Sequence, residues 1–383
     1  LFPSLSFSTS QQVVNRPYQE TSSRVSGSEI ISSNSKTSYN GNYGLNASWT
    51  LYNGNKRLKT IQQEKLNNQV AELDVATSEN NIQESIAQVY IQILYAAESV
   101  KVNESTLQVS IAQRDRGQEL LNAGSIAKSD FAQLEAQVST DRYQLVTAQA
   151  TLEDYKLQLK QLLELDGENE MNIYLPALSD ENVLAPLPTK RDVYISALSL
   201  RPEIEASKLN VEASELGINI AKSSYFPTIS LSAGIGTNHT SGSDFTFGEQ
   251  VKNGWNNSIG LSVSVPIFNN RQTKSAVQKA KLQYETSMLS LLDEQKALYK
   301  TIESLWLDAN SAQQRYAAAN EKLKSTQISY ELISEQFNLG MKNTVELLTE
   351  KNNLLQAQQE QLQAKYMAIL NTQLLKFYQG DQL

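Results

Sequence analysis

The sequence predicts a mixed α and β protein in which two long helical hairpins alternate with two pairs of strands. Three observations predict this class: the positions of the helix-breaking residues, the heptad spacing of apolar residues, and a constant offset between two similar halves. Only 40% of the 383 residues are apolar, below the ~45–50% typical of soluble domains. A deep globular core is therefore not expected.

Composition excludes several classes of function. The chain has no cysteine, a single histidine (His239), and a net charge of −8 with its basic residues scattered. Disulfide scaffolds, cysteine-based zinc sites and cysteine nucleophiles are excluded, and a nucleic-acid surface would need clustered basic residues. We find no catalytic constellation, phosphate loop or metal-ligand spacing, so we expect no enzyme, no metal and no cofactor. No window reaches the ~18 apolar residues of a transmembrane helix.

Glycine and proline are almost absent from two stretches, 55–165 and 270–379. The first contains only Gly117 and Gly124, the second only Gly340, and neither contains proline. Such stretches predict long helices that fold back near 124 and near 340, where glycine suits a left-handed helix terminus. The arms that reach these two turns run ~65–70 residues and would each be roughly 100 Å long.

Apolar residues recur in steps of seven along these stretches, as expected for helices that pack as coiled coils. One seam is Phe131, Val138, Leu145, Leu152 and Leu159, and its companion is Leu134, Ala148, Tyr155 and Leu162. Asp141 is the polar exception in the companion seam. Heptads alone would equally describe a soluble coiled coil.

The two halves of the chain are copies of one unit. Residues 45–53 align with 261–269 at an offset of 216. The same offset aligns further pairs: Tyr90 with Trp306, Gly124 with Gly340, and Asp130 with Glu346. We therefore predict an internal duplication, with a first β-hairpin in 1–54, a linker with short helices in 166–224, and a second β-hairpin in 225–269. The second copy has a helical lead-in that the first lacks, so we expect the first copy to be trimmed at its N-terminus.

Four segments alternate apolar with small polar residues, the pattern of strands with one face in lipid and one in water. Their apolar members are Leu5 and Phe7; Leu45, Ala47, Trp49 and Leu51; Ile229, Leu231, Ala233 and Ile235; and Ile259, Leu261, Val263, Val265 and Ile267. The polar segments 15–40 and 237–257 are predicted to be external loops. Two hairpins cannot close a barrel, and open edges are not tolerated in lipid. Strands of several protomers must combine, giving eight strands for two copies or twelve for three.

The junctions and turns resemble the TolC-like outer-membrane efflux protein family. The motifs that carry this resemblance span nearly the whole chain: Trp49-Thr50-Leu51-Tyr52-Asn53-Gly54, Val265-Pro266-Ile267-Phe268-Asn269-Asn270, Arg201-Pro202-Glu203-Ile204, Phe226-Pro227-Thr228-Ile229-Ser230, and the turns at 123–130 and 339–346.

The resemblance implies a homotrimer in the bacterial outer membrane. Four strands per protomer would close a 12-stranded β-barrel, and the coiled-coil helices would form an α-barrel extending into the periplasm. The chain would be a passive exit duct for efflux or type I secretion, with outer-membrane lipid, a periplasmic adaptor protein and an inner-membrane transporter as partners and no nucleic acid. Its cargo stays open among drugs, metal ions and protein, as does a lipidated cysteine before Leu1.

The resemblance also assigns roles to the two helical turns. Residues at or beside the adaptor-docking tips would be Gly124, Ser125, Ile126, Ala127, Gly340, Met341, Lys342 and Asn343. The periplasmic gate would include Glu346 and Asp130, with Thr349 standing where family members often carry a second acid. Phe337 with Asp130, and Lys342 with Ser129, would be lock partners. Three copies of Glu346 around a narrow axis should repel, which would raise their pKa and attract cations.

Two other classes of function compete with the duct. A periplasmic or surface coiled-coil scaffold would explain the heptads but not the four alternating segments. A helical pore-forming toxin would need an apolar insertion hairpin, which we do not find.

Overall fold

The computed structural model describes residues 2–18, 22–26, 29–33, 36–165, 173–174, 183–241, 243 and 245–381. Its helices are α1 (Lys56–Asn122), α2 (Lys128–Leu162), α3 (Lys190–Leu200), α4 (Pro202–Lys222), α5 (Phe247–Asn253), α6 (Gln272–Asn338) and α7 (Thr344–Gln379). Its strands are β1 (Ser4–Asn15), β2 (Ser22–Ser26), β3 (Glu29–Ser33), β4 (Thr37–Asn53), β5 (Thr228–Thr240) and β6 (Asn256–Ser264). The chain divides into a strand-containing unit, Leu1–Asn68 with Asn210–Met288, and a helical unit, Gln69–Leu209 with Leu289–Leu383.

In the strand-containing unit, four antiparallel strands form one sheet in the order β1-β4-β5-β6. Its two faces differ because side chains alternate along each strand. Rows of paired residues on one face are apolar: Leu5, Ala47, Ala233 and Ile259, then Trp49, Leu231 and Leu261. Rows on the other face are small and polar: Ser4, Ser48, Ser232 and Gly260, then Ser6, Asn46, Gly234 and Ser258. Much of the apolar face is exposed, including Leu5, Ile259 and Leu261.

The structure corrects the two predicted loops. Within 15–40, β2 and β3 pair as a separate two-stranded sheet, and residues 19–21, 27–28 and 34–35 lie outside the described part. Within 237–257, β5 continues to Thr240 and α5 forms a short helix. The Thr246 hydroxyl accepts from the Glu249 N–H at 3.4 Å, and the Glu249 carboxylate accepts from the Thr246 N–H at 2.8 Å. This capping box, Thr-x-x-Glu, is readable in the sequence and marks the start of α5.

The last predicted strand is shorter than its alternating pattern. β6 ends at Ser264, so Val265 and Ile267 lie outside it, whereas β4 continues to Asn53 through an irregularity between Thr50 and Tyr52. Pro266 explains the difference because proline has no N–H to donate to a ladder.

The predicted duplication is visible in the backbone. Helices α1 and α6 each have 67 residues, and both their ends differ by the offset of 216. The left-handed residues repeat at the same offset: Gly54 and Asn55 with Asn270 and Arg271, Gly124 with Gly340, and Glu164 with Gly380. Each pair marks a helix boundary, so the two copies share the same strand-to-helix, helix-to-helix and terminal turns.

A buried arginine anchors the lead-in to α4 within the helical unit. Arg201 lies between α3 and α4, and its guanidinium donates to Glu84 of α1 at 2.6 Å. The same guanidinium lies 3.7 Å from the centre of the Tyr378 ring of α7. Pro202 follows as the first residue of α4, a position where its missing N–H costs nothing. Part of the predicted linker, 166–172 and 175–182, lies outside the described residues.

Every helix in the described part of the chain lacks the long apolar stretch that a membrane-crossing helix requires.

Candidate functional site at the helix-hairpin turns

The two hairpin turns in the helical unit share one geometry. Gly124 and Gly340 have φ values of +75° and +77°. The Gly124 N–H donates to the Leu121 carbonyl at 3.0 Å and the Ser125 N–H to the Leu120 carbonyl at 2.8 Å. The second turn repeats both bonds, from Gly340 to Phe337 and from Met341 to Gln336, each at 2.9 Å. These are Schellman motifs, which satisfy the last carbonyls of a helix and favour glycine.

The helices that follow the turns are capped unequally. The Asn343 side chain accepts from the Glu346 N–H at 2.9 Å, and Glu346 accepts from the Asn343 N–H at 3.2 Å. In the first copy, Asp130 accepts from the Ala127 N–H at 3.4 Å, but the alanine side chain has no oxygen, and the Asp130 N–H donates to the Ala127 backbone carbonyl at 3.1 Å. The start of α7 therefore has a full capping box and the start of α2 half of one.

Glu346 is paired within its own chain. Its carboxylate accepts from the Lys342 ammonium at 2.5 Å. The pKa of Glu346 is lowered from its usual value, first by this hydrogen bond and then by the one from the Asn343 backbone. Within one chain this direction is opposite to the rise expected from repulsion among three copies, because Lys342 places a positive charge beside each carboxylate.

The expected lock partners have other neighbours in this chain. Phe337 is buried and packs with Leu134 of α2 and Leu347 of α7, so it joins the two hairpins through apolar contact. Lys342 bonds Glu346, and Asp130 bonds the Ala127 backbone. The structure does not bring Lys342 and Phe337 into hydrogen bonds with the predicted partners within this chain.

The remaining predicted residues are largely at the surface. Exposed members of the set are Gly124, Ser125, Ala127, Ser129, Gly340, Met341, Asn343 and Thr349, and Ile126 is half-buried. The Thr349 hydroxyl donates to the Val345 carbonyl at 2.8 Å, so it is satisfied within α7. Leu339, Met341 and Val345 make the second turn the more apolar of the two exposed surfaces.

Sequence reasoning missed a buried polar cluster formed by Ser110 of α1, Asp141 of α2 and Lys351 of α7. Lys351 donates to Asp141 and to Ser110, and the Ser110 hydroxyl donates to Asp141. Gln137 donates to the other Asp141 oxygen at 2.9 Å. The polar exception in the heptad seam was the available signal, but nothing local in the sequence identified its partner.

The described residues contain no group of three or more His, Cys, Asp or Glu side chains that could hold a metal ion.

Known proteins resemble this chain over most of its length. It is 24% identical over 294 residues to the outer membrane efflux protein BepC of Brucella suis biovar 1, covering 76% of this chain and 61% of that protein. It is 23% identical over 311 residues to the outer membrane protein TolC of Escherichia coli K12, covering 79% of this chain and 62% of that protein. The chain thus spans about three fifths of the length of these two relatives.

A solved structure of CusC superposes with a TM-score of 0.79 at 19% identity, covering 99% of this chain and 83% of that one. The combination of long helices with a small antiparallel sheet is therefore a known fold. The family described as outer membrane efflux protein matches residues 1–164 and 193–380. With both helical turns and both strand pairs inside those matches, the chain belongs to the outer membrane efflux protein family.

Proposed function

We propose that this chain is one protomer of a trimeric outer-membrane exit duct that conducts substrates passively from the periplasm to the exterior. Its strands would lie in the outer membrane and its helical turns in the periplasm. A periplasmic adaptor protein would bind the turns, and an inner-membrane transporter would supply the energy. The duct itself catalyses no reaction.

The two-faced sheet is the observation that carries this proposal. One face presents exposed apolar side chains such as Leu5 and Leu261, and the other presents serine, asparagine and glycine. Strands β1 and β6 each pair on one side only within the four-stranded sheet. Lipid would cover the apolar face, and strands of neighbouring protomers would pair with the two edges.

Related proteins support a duct and differ in cargo. Their names include a toxin and drug export protein of Aggregatibacter actinomycetemcomitans, an alkaline protease secretion protein of Pseudomonas aeruginosa, and a cation efflux system protein of Escherichia coli. This breadth favours a general duct whose cargo is selected by the transporter that joins it.

Neighbouring residues on opposite faces of β6 test the proposal. Leu261 belongs to the apolar face and Ser262 to the polar face. A lysine facing lipid costs about 2–4 kcal/mol near the bilayer midplane, whereas a lumen substitution tunes selectivity. We expect Leu261→Lys to reduce assembled protein in outer-membrane fractions, and Ser262→Lys to assemble normally and shift ion selectivity towards anions in planar bilayers. Equal assembly of both variants, with no pore in either, would instead support the scaffold.

A further inference from the structure

The Ser110–Asp141–Lys351 cluster joins three helices at one buried point of the helical unit. The exposed fractions of Ser110, Asp141 and Lys351 are 2%, 1% and 3%. Asp141 accepts from Ser110, Lys351 and Gln137, and Lys351 donates to both Ser110 and Asp141. The cluster therefore ties α7 of the second hairpin to both helices of the first.

Stability alone does not account for a buried ion pair. Burial lowers the pKa of Lys351 below its usual value, while the hydrogen bond and charge of Asp141 act in the opposite direction. Desolvation of two charges is expensive, and well-packed apolar residues of similar volume often serve as well or better. What a buried ion pair can add is one defined position of the helices relative to each other, since its hydrogen bonds form in only one arrangement.

Asp141 occupies a place in the heptad seam where this property matters. The seam residues before and after it, Leu134 and Ala148, are apolar. Apolar seams tolerate a shift of one helix along another, and a polar residue at a seam position specifies the register. The bonds from Asp141 to Lys351 and Ser110 are satisfied in one register of α7 against α1 and α2.

The cluster is absent from the second copy of the duplicated unit. At the offset of 216, Ser110 corresponds to Thr326, Asp141 to Ala357, and Glu135 to Lys351. Ala357 is fully buried and Glu135 is exposed. The glycine turns and the terminal turns recur in both copies, as the scaffold requires. The polar cluster does not recur, which indicates a role specific to the place where α7 meets the first hairpin.

We propose that Ser110, Asp141 and Lys351 form a fixed point that sets the position of α7 against α1 and α2, and so positions Glu346 at the proposed gate. Lys351 follows Glu346 by five residues, or about 7.5 Å along the helix. Movement at the start of α7 is then confined to the helical turns between Thr344 and Lys351. The gate role of Glu346 rests on the proposed function, whereas the fixed position of α7 does not.

The test measures position directly. The chain has no native cysteine, so spin labels can be attached at Gln133→Cys on α2 and Val345→Cys on α7, both exposed sites. Distance distributions between the labels are compared for four proteins. One keeps the cluster unaltered, one is the apolar double variant Lys351→Met/Asp141→Leu, and two are the single variants Ser110→Ala and Lys351→Arg. We expect the apolar double variant to melt at the wild-type temperature or above, and its distribution to widen about twofold. Ser110→Ala should widen it less, and Lys351→Arg should keep it narrow.

The exposed ion pair Lys322–Glu360 supplies a matched control. It bridges α6 and α7 at 2.7 Å, with side chains 43% and 42% exposed, and Lys322→Met with Glu360→Leu should leave the distribution unchanged. A narrow distribution in a folded Lys351→Met/Asp141→Leu variant would overturn the fixed point. Loss of folding in that variant would overturn it too, because stability would then explain the pair. A wide distance distribution in Lys351→Arg, which keeps the positive charge, would also contradict the fixed point, because side-chain packing and not the ion pair would then set the position of α7.

Single-channel recordings on the same proteins separate this inference from the proposed function. If the apolar double variant has widened distances and no preparation forms pores, the duct is refuted and the fixed point stands. If pores form and distances stay narrow, the duct stands and the fixed point is refuted.

Discussion

At the scale of single residues, Glu346 makes two interactions, and both act on its charge in the same direction. It caps the first turn of α7 through the Asn343 backbone and it pairs with Lys342. Both interactions favour the charged carboxylate, which is why the pKa of Glu346 is lowered. Any cation that binds at a ring of such carboxylates must compete with Lys342.

This competition gives a prediction for cation block of single-channel current. Lys342→Gln should strengthen block by divalent cations added from the periplasmic side at neutral pH, and Glu346→Gln should abolish most of it. Because the Lys342 hydrogen bond is the largest cause of the lowered pKa, Lys342→Gln should raise the pKa of Glu346. Block should then disappear at a higher pH on acidification than in the wild type. Block that is identical in Glu346→Gln would direct attention to Asp130, or to Glu350, which follows Glu346 by four residues on α7.

At the scale of helices and turns, the two copies differ in the residue that caps the helix after each turn. Asn343 supplies the side-chain cap of α7, whereas the equivalent Ala127 leaves α2 without one. The turns before them are the same Schellman motif. The second copy therefore shows which residue would complete the first.

Ala127→Asn should stabilise the start of α2, and Asn343→Ala should weaken the start of α7. Each change is worth roughly 0.5–2 kcal/mol for a side-chain cap. Amide hydrogen exchange at Asp130 and Glu346, the third residues of the two helices, measures the effect locally. Slower exchange at Asp130 in the first variant and faster exchange at Glu346 in the second is the expected result. An unchanged Asp130 amide would mean that the added side chain does not improve on the bond that this amide already makes to the Ala127 carbonyl.

The glycines of the turns give a prediction about docking. A Cβ at Gly124 or Gly340 would meet nothing within 4 Å, so the cost of a substitution comes from the positive φ alone. Gly124→Val or Gly340→Val should cost about 1–2 kcal/mol at the turn. We expect adaptor binding to fall while trimer assembly is retained, as measured by co-purification and native gels.

Gly248→Val is the matched control. A Cβ at Gly248 would also meet nothing within 4 Å, but the φ of Gly248 is not in the left-handed region. It should change neither readout. Turn variants that fail to reach the membrane yet bind the adaptor normally once solubilised would contradict the docking role.

At the scale of the whole molecule, the four-stranded sheet has two edges that are unpaired within the described residues, and an assembly of several copies must pair them. Strands β1 and β6 are the two edges, and they run in opposite directions because every neighbouring pair is antiparallel. The β6 edge of one copy can therefore continue the antiparallel pattern with the β1 edge of the next. Closure removes the unpaired edges that lipid does not tolerate.

We expect cross-linking in mild detergent to give a trimer. Ser6→Cys combined with Ser258→Cys or Ser262→Cys should in addition form disulfide-linked oligomers, since these residues lie on the polar face of β1 and β6, the two edge strands that would pair between protomers. Ser139→Cys on the exposed surface of α2 provides a control for random collision. Monomers under all conditions would rule out closure between protomers.

The sequence by itself determined the features that depend on neighbouring residues. The scarcity of glycine and proline, supported by heptads, predicted the long helices; alternation predicted the two-faced strands, and the offset of 216 predicted the duplication. Gly124 and Gly340 were predicted as left-handed turns and are confirmed as such. Each of these follows from local backbone preferences or from side-chain periodicity.

Only the tertiary structure decided which distant residues meet. Asp141 was visible as a polar interruption, but its partner Lys351 is 210 residues away. Phe337, which the resemblance paired with Asp130, is buried with Leu134 and Leu347 within this chain. Lys342, which the resemblance paired with Ser129, bonds Glu346 within this chain, and both locks stay predictions. The physical reason is that periodicity fixes the face on which a residue lies, whereas the packing of α7 against α1 and α2 selects its partner on that face.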